Sequence, residues 1–389
     1  MDYLVIARKY RPQTFTEVTG QGVIARTLAN AIRSNRVAHA YLFTGPRGVG
    51  KTSMARILAK ALCCENGPTD HPCGVCQNCT MITDGHHPDV AEIDAARFSG
   101  VDAIRDLSDG AAFSPTLARS RIYILDEVHM LSNAAWNALL KLLEEPPAHV
   151  RFIFATTEVE KVLATVLSRC QRFDFRAIDL DDIVARLRSI CGNEKVTLSE
   201  SVLYRIARAA GGGMRDAQTL LDQLIAVSDG KVNEEDLNLL LGAARGEDLD
   251  LLISQLITGE TAKVLESLDR IIAGGVSAST LLEQLVGHVR AMMLIQTCGS
   301  VSPAVQRLGI VTAAIESQAA AISVEKTMRI AQVLIASQQA LRHGVDPRLQ
   351  AELACVRISR LGDVLDVEGL LRRIERLERS GNGVSANPR

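Results

Sequence analysis

The residues Gly45-Pro46-Arg47-Gly48-Val49-Gly50-Lys51-Thr52 carry the most specific chemical signal in the chain. They fit G-x-x-x-x-G-K-[ST], a loop whose glycines let backbone N–H groups turn inward around phosphate oxygens while the following helix adds the positive end of its dipole. In such a loop Lys51 neutralises the β- and γ-phosphates of a nucleoside triphosphate, ATP above all, and Thr52 ligates Mg²⁺. A second signal is Ile122-Tyr123-Ile124-Leu125-Asp126-Glu127, an apolar run of strand type ending in two carboxylates. Open α/β sheets hold ligands at the carboxyl ends of their strands, which is where these acids fall. Asp126 suits the water shell of Mg²⁺, and Glu127 suits orienting and deprotonating an attacking water. Alone, such a pair is a common solvated loop start; the phosphate loop upstream is what gives it a task.

A third group is Cys64-x8-Cys73-x2-Cys76-x2-Cys79. Thiolates on tight turns chelate in pairs, and two overlapping C-x-x-C units with a further thiolate nearby can converge on one tetrahedral Zn²⁺. Pro72 and Gly74 supply the turn chemistry. Core cysteines or a redox pair are the other readings, and Cys63, His71, His86 and His87 are rivals for the fourth ligand place. Four protein thiolates close the coordination sphere, so the expected site is structural and staples a small insertion.

These groups need elements to position them. Apolar runs at 40–43, 90–93, 121–125 and 150–155 alternate with helical patterns, which predicts a parallel α/β sheet up to about residue 177. The phosphate loop then lies between the strand Ala40–Phe43 and a helix with Met54, Ile57, Leu58, Ala61 and Leu62 on one face. Beyond 177 the apolar spacing is helical throughout: Leu203, Ile206, Ala207 and Ala210, then Leu220, Leu221 and Leu224, then Leu281, Leu282, Leu285 and Val286. Gly211-Gly212-Gly213 separates two of these helices, and Gly242 to Gly246 reads as a boundary between a small helical domain and a larger one. With 389 residues, 47% of them hydrophobic, the chain is globular and divides into two or three domains. Lys plus Arg (43) nearly balances Asp plus Glu (45), so no chain-wide field attracts nucleic acid, and any DNA contact must be local. No run approaches a signal-peptide core or a membrane span, which reads as a cytoplasmic protein with its nine cysteines reduced.

Several segments together resemble one family: ARKYRPQTFTEVTGQ (7–21), GPRGVGKTS (45–53), the cysteine module (64–79), LDEVHML (125–131), NALLKLLEEPP (137–147), FATTE (154–158), LSRC (167–170) and GGGMRDAQTLLDQ (211–223). They are similar to the gamma/tau ATPases of bacterial DNA polymerase III clamp loaders, of the AAA+ type, over essentially the whole chain. That resemblance implies roles the residue patterns alone do not assign. Thr157 would be the polar sensor holding the hydrolytic water, and Arg215 the lid sensor reaching the γ-phosphate of its own subunit. Arg169 would be a finger given in trans to a neighbour's ATP. Tyr10, Arg11 and Pro12 would wrap the adenine. It further implies an α/β nucleotide-binding domain over 1–178 with the zinc module at 64–79, a helical lid over 179–242, a helical collar over 243–368, and a helical end with a polar tail over 369–389. Implied partners are delta, delta-prime and further gamma/tau copies in a ring, the sliding clamp, primer-template DNA and the polymerase core, with no membrane.

Two other classes are open to such a sequence. A non-catalytic stator of the delta-prime kind shares the zinc module and the SRC segment but has an unusable phosphate loop, which the complete Gly45–Thr52 motif and Glu127 speak against. An AAA+ DNA helicase needs a DNA-gripping pore loop or an added DNA-binding domain, and neither is recognisable in the sequence.

Overall fold

The computed structural model describes residues 4–361, apart from 98–99, 228–233, 303–304, 306–307, 309–311 and 342. The proposed end and tail at 369–389 lie outside the described residues. The chain divides into two compact units, Met1–Val232 and Asn233–Arg389.

The first unit is built on β1 (Ala40–Thr44), β2 (Val90–Asp94), β3 (Arg121–Asp126), β4 (Val150–Thr156) and β5 (Gln171–Asp174). They form one sheet in the order β2-β3-β4-β1-β5, with every neighbouring pair parallel. The first four strands are those the apolar runs predict. The helices, in chain order, are α1 (Ile6–Lys9), α2 (Gly22–Arg33), α3 (Lys51–Cys63), α4 (Gln77–Asp84), α5 (Val101–Ala111), α6 (Asn133–Glu144) and α7 (Ala164–Leu167), then α8 (Leu180–Glu194), α9 (Glu200–Ala209) and α10 (Met214–Val227) after the last strand.

Strand residues alternate between two cores, because successive side chains leave a strand on opposite faces. Tyr41, Phe43, Ile122, Ile124 and Ile153 pack with Leu28, Ile57 and Leu58 from α2 and α3. Leu42, Leu125, Phe152 and Phe154 pack with Ile104, Trp136 and Leu139 from α5 and α6. Covering both faces explains why these strands read as unbroken apolar runs instead of alternating with polar residues. Each fully buried large side chain contributes about 1.5–3 kcal/mol, so the helices are held to the sheet chiefly by these two layers.

The described residues of the second unit are helical: α11 (Glu234–Leu241), α12 (Gly246–Thr258), α13 (Thr261–Ala273), α14 (Ala278–Cys298), α15 (Ala313–Ala321), α16 (Val324–Leu341) and α17 (Pro347–Ser359). Leu252, Leu256, Leu268, Leu281, Leu285 and Leu334 are buried in its core. One polar network crosses that core: His288 lies 2.6 Å from Gln318 Oε1, and the Gln318 amide donates to the Asp250 carbonyl at 2.8 Å and to Ser254 Oγ at 3.0 Å. Among the described residues no helix is long and apolar enough to cross a membrane.

At the amino end of β2, Asp89 is buried and ties the start of that strand to the approach to β3. Its carboxylate accepts the backbone N–H groups of Thr116, Leu117 and Ala118 at 2.7, 2.7 and 2.9 Å. Burial alone would raise its pKa, but those N–H donors and the Arg121 guanidinium outweigh burial and hold it below the usual aspartate value. A depressed folded pKa stabilises the fold above the unfolded value, about 3.9, and the contribution is lost as pH falls through the folded one. Asp89→Asn, which turns one acceptor oxygen into a donor, should therefore lower the melting temperature at pH 7 by about 3–10 °C. The gap between variant and wild type should narrow as melts are repeated below about pH 4.

Candidate functional site

The carboxyl ends of β1, β3 and β4 lie side by side, because β4 is paired with both of the others. That topology places the loop after β1, the acids ending β3 and the Thr156–Thr157 pair ending β4 along one edge of the sheet. The loop 45–50 runs directly into α3, whose N-cap is Gly50 in the left-handed region. Lys51, the first residue of the helix, is buried, and its Nζ donates to the Gly45 and Pro46 carbonyls at 2.8 Å each. Burial pushes its pKa below the ordinary lysine value, opposed by the Glu127 and Asp126 carboxylates. Thr52 Oγ1 donates to Asp126 Oδ2 at 2.6 Å. A hydroxyl and a carboxylate meeting beside a phosphate loop form a hard oxygen pair of the kind Mg²⁺ takes.

Glu127 has φ 49° and ψ 44°, left-handed for a residue with a side chain, a conformation that costs on the order of 1 kcal/mol or more and clusters at functional sites. Its backbone N–H donates to Asp126 Oδ1 at 3.0 Å, and its Oε2 accepts the Thr157 hydroxyl at 3.2 Å. The general-base candidate and the sensor candidate, distant in sequence, are thus in contact.

The remaining walls come from the N-terminal arm and the helices after β5. The cleft is lined by Tyr10, Arg11 and Pro12 from the arm, by Arg47–Ser53, by Asp126 and Glu127, and by Arg186, Met214, Arg215 and Gln218. Tyr10 is held by a hydrogen bond from its hydroxyl to Glu194 Oε1 at 2.5 Å and by Arg186, which donates to its carbonyl at 3.2 Å. Burial, then the nearby Arg56 charge, pushes the Arg11 guanidinium below the usual arginine range, with Glu92 opposing. Such a concentration of buried positive charge suits a polyanion. The Gly211–Gly213 turn sits against the phosphate loop: the backbone N–H of Arg215 donates to the Gly48 carbonyl at 3.3 Å. A Cβ on Gly48, which has φ +77°, would stand 3.1 Å from the Gly213 Cα.

Arg169 is not brought to this cleft. It follows α7, and its guanidinium donates to the Thr165 carbonyl at 2.8 Å and pairs with Glu144 at 2.7 Å. The sequence reading gave no role to Arg186 or Gln218, which line the cleft, or to His129, which lies within 3.4 Å of Glu127 Oε2. For His129 a signal was present in its place two residues after Glu127; Arg186 and Gln218 reach the cleft only through the packing of α8 and α10.

Cys64, Cys73, Cys76 and Cys79 form a separate cluster at the far end of α3, with all four Sγ atoms within 4.8 Å of one another. Cys64 and Cys73 Sγ are 3.7 Å apart, against about 3.8 Å for the edge of a tetrahedron with metal–sulfur bonds of about 2.3 Å. The Cys76 N–H points at Cys73 Sγ at 3.3 Å, and backbone N–H groups of Val75 and Cys76 bring the Cys73 thiol down to about 6. The rival ligands are engaged elsewhere or absent from the cluster. Cys63 Sγ faces the Ser120 carbonyl, His71 pairs with Asp70, His87 lies between Asn78 and the Asp89 N–H, and His86 is exposed. The four-thiolate set suits a tetrahedral, borderline-soft metal.

A parallel sheet carrying a phosphate loop, an acidic strand end, a neighbouring strand followed by Thr157 and a set of helices over the cleft defines a P-loop ATPase of the AAA+ kind. Residues 20–179 match the family described as DNA polymerase III, delta subunit; residues 182–230 match the ATPase lid domain of the DNA polymerase III clamp loader subunit; residues 232–374 match domain III of DNA polymerase III subunits gamma and tau. The chain belongs to the DNA polymerase III gamma/tau family. It is 40% identical to DNA polymerase III subunit tau of Bacillus subtilis over 97% of this chain and 68% of that one. It is likewise 40% identical to subunit tau of Escherichia coli over 92% and 55%, and 36% identical to subunit gamma of Buchnera aphidicola over 77% and 81%. The chain thus spans about half to two thirds of the length of the two tau relatives. Structures of the Thermotoga maritima RuvB Holliday junction branch migration motor resemble it at 16% identity and a TM-score of 0.45, over 64% of this chain and 79% of that one, too loose a likeness to bear on function.

Proposed function

We propose that this chain is the ATP-hydrolysing motor subunit of a clamp loader, using ATP binding and hydrolysis to open a sliding clamp and load it onto primer-template DNA. The observation that carries the reading is the convergence of Lys51, the Thr52–Asp126 pair and Glu127 in one cleft, with Thr157 hydrogen-bonded to Glu127. ATP would lie with its adenine against Tyr10, Arg11 and Pro12 and its phosphates on residues 45–52. Lys51 would exchange the Gly45 and Pro46 carbonyls for phosphate oxygens, and Thr52 and Asp126 would hold Mg²⁺, which neutralises charge on the β- and γ-phosphates. Water attacks the γ-phosphorus as its bond to the bridging oxygen breaks. Glu127 takes the proton from that water, Thr157 orients it, and Arg215 approaches the γ-phosphate from the helical side.

Nucleotide state would act on the ring by population shift, since ATP favours whichever arrangement of the arm, loop and lid binds it best. The domain assignment is proposed as 1–178, 179–242 and 243–368, with the last joining delta, delta-prime and other gamma/tau copies, and the polymerase core as a further partner in a cytoplasmic holoenzyme. The complete loop and the Glu127–Thr157 contact favour a hydrolysing subunit over a stator of the delta-prime kind.

The ATP reading predicts a split between two variants. Lys51→Ala should lower ATP affinity by at least about 100-fold while leaving the melting curve near wild type. Glu127→Gln should bind ATP normally but turn it over about 10²–10⁴-fold more slowly. Filter binding and phosphate release check both, and wild-type affinity in Lys51→Ala would remove the assignment.

The cysteine cluster is proposed to hold one structural Zn²⁺. Elemental analysis of protein purified without added zinc should find near one ion per chain, and Cys73→Ser should reduce both metal content and thermal stability. A zinc content near zero, with Cys73→Ser melting as wild type, would return these thiols to ordinary packing.

Arg169 is proposed as the finger a subunit offers its neighbour. Its pairing with Glu144 is solvent-exposed, so giving it up costs about 0–1 kcal/mol. Arg169→Ala should leave ATP affinity unchanged and cut clamp- and DNA-stimulated turnover of the assembled ring by roughly 10³-fold. In mixed assemblies a neighbour with Arg169 should restore hydrolysis at the mutant subunit's own site. Wild-type turnover in a uniformly Arg169→Ala assembly would rule the finger out.

A further inference from the structure

We infer that His129 is a positioning residue for the Glu127 carboxylate, anchored for that purpose by Glu158; the inference rests on the proposed ATP hydrolysis. The His129 side chain is only 8% exposed and stands between two carboxylates. Its Nε2 lies 3.2 Å from Glu158 Oε1. A hydrogen bond to Lys161 keeps Glu158 below the usual glutamate range, so its carboxylate is ionised and can only accept. Nε2 therefore carries a proton.

The other ring nitrogen, Nδ1, is 3.0 Å from Thr156 Oγ1 and 3.4 Å from Glu127 Oε2. Thr156 is fully buried, and its oxygen already accepts the Glu158 backbone N–H at 3.0 Å, which leaves the hydroxyl proton free to go to Nδ1. In the Nε2–H tautomer the Thr156 hydroxyl is placed to donate to Nδ1. Held by Thr156 and Glu158, the ring stands as a wall 3.4 Å from Glu127 Oε2. The carboxylate is confined between that wall and the Thr157 hydroxyl, which its Oε2 accepts. A left-handed Glu127 backbone with nothing beside its side chain would let the carboxylate swing away from the attack line. Thr156, Thr157 and Glu158, three successive residues at the end of β4, each hold part of this arrangement.

The test compares His129→Ala, His129→Asn and His129→Gln with wild type and Glu127→Gln, using single-turnover hydrolysis of labelled ATP by the whole chain alongside ATP affinity. An Asn amide can occupy the Nδ1 position beside Thr156 and Glu127, whereas a Gln amide reaches only the Nε2 position. His129→Ala should bind ATP within about twofold of wild type and hydrolyse it about 10–100-fold more slowly, as a misplaced catalytic group would. His129→Asn should recover most of that loss and His129→Gln little of it. The assignment is overturned if His129→Ala hydrolyses at the wild-type rate, if affinity and rate fall together in all three variants, or if Asn and Gln rescue equally. Failure of wild type to hydrolyse ATP above the Glu127→Gln level would instead overturn the ATPase reading itself.

Discussion

A buried ammonium is among the costliest groups a protein can hold, because burial removes the water that stabilises its charge. Lys51 is 6% exposed, and the structure around it can be understood as the arrangement that makes this tolerable. Two loop carbonyls accept its protons, and two carboxylates from the next strand but one set a negative field opposite. The parallel order β3-β4-β1 is what brings those acids to the loop. A phosphate chain supplies what these groups supply, oxygen acceptors and negative charge, so a site that keeps Lys51 charged when buried also attracts a nucleotide.

The helix that begins at Lys51 connects this site to the cysteine module. α3 spans thirteen residues and ends at Cys63, directly before Cys64. Near that end the buried Lys60 donates both to Gln13 of the arm and to Thr83 of α4, which follows the cysteine turns. Gln13 in turn donates to the carbonyl of Arg11, a residue of the cleft wall. The arm is fastened at its other end to the helical part, through Tyr10 and Lys9 to Glu194 and through the Ile6 N–H to Asp222. The arm that carries Tyr10 and Arg11 to the cleft is therefore braced at both of its ends.

The parts of this design that depend on local pattern were legible in the sequence. Strands β1, β3 and β4 announce themselves because burial on both faces forces apolar runs, β2 is a half-buried run broken by the exposed Glu92, and the apolar face of α3 follows from helical spacing. β5, Gln171–Asp174, lies at the sheet edge with three of its four residues exposed, so it leaves no hydrophobic signal, and only its pairing with β1 makes it a strand. The phosphate loop and the acids were legible because their spacing is set by chemistry within one segment. The contacts that complete the site are of another kind. Thr157 was named only through family resemblance; Arg186 reaches the cleft only through the packing of α8, and His129, though two residues from Glu127, meets Thr156 and Glu158 only in the fold. The choice among rival cysteine and histidine ligands was open for the same reason: Cys63 and Cys64 are adjacent in sequence, and only the end of α3 turns one inward to Ser120 and the other to the cluster.

Where the lid turn meets the phosphate loop, main chain lies on main chain. A methyl group on Gly213 would come within 2.7 Å of Asp216 Oδ2 and 3.2 Å of the Arg47 carbonyl, and one on Gly48 within 3.0 Å of that same carboxylate. The contacts with Asp216 could be relieved by shortening that side chain, but the 3.2 Å approach to the Arg47 carbonyl and the 3.1 Å approach of a Gly48 Cβ to the Gly213 Cα are to main chain and could not. Variation at this seam is therefore only partly open to compensation by second-site substitution, and the two segments are constrained to change together. Recombination that joins the nucleotide-binding part of one sequence to the lid of another would have to match at this seam as well as where the arm meets Glu194 and Asp222.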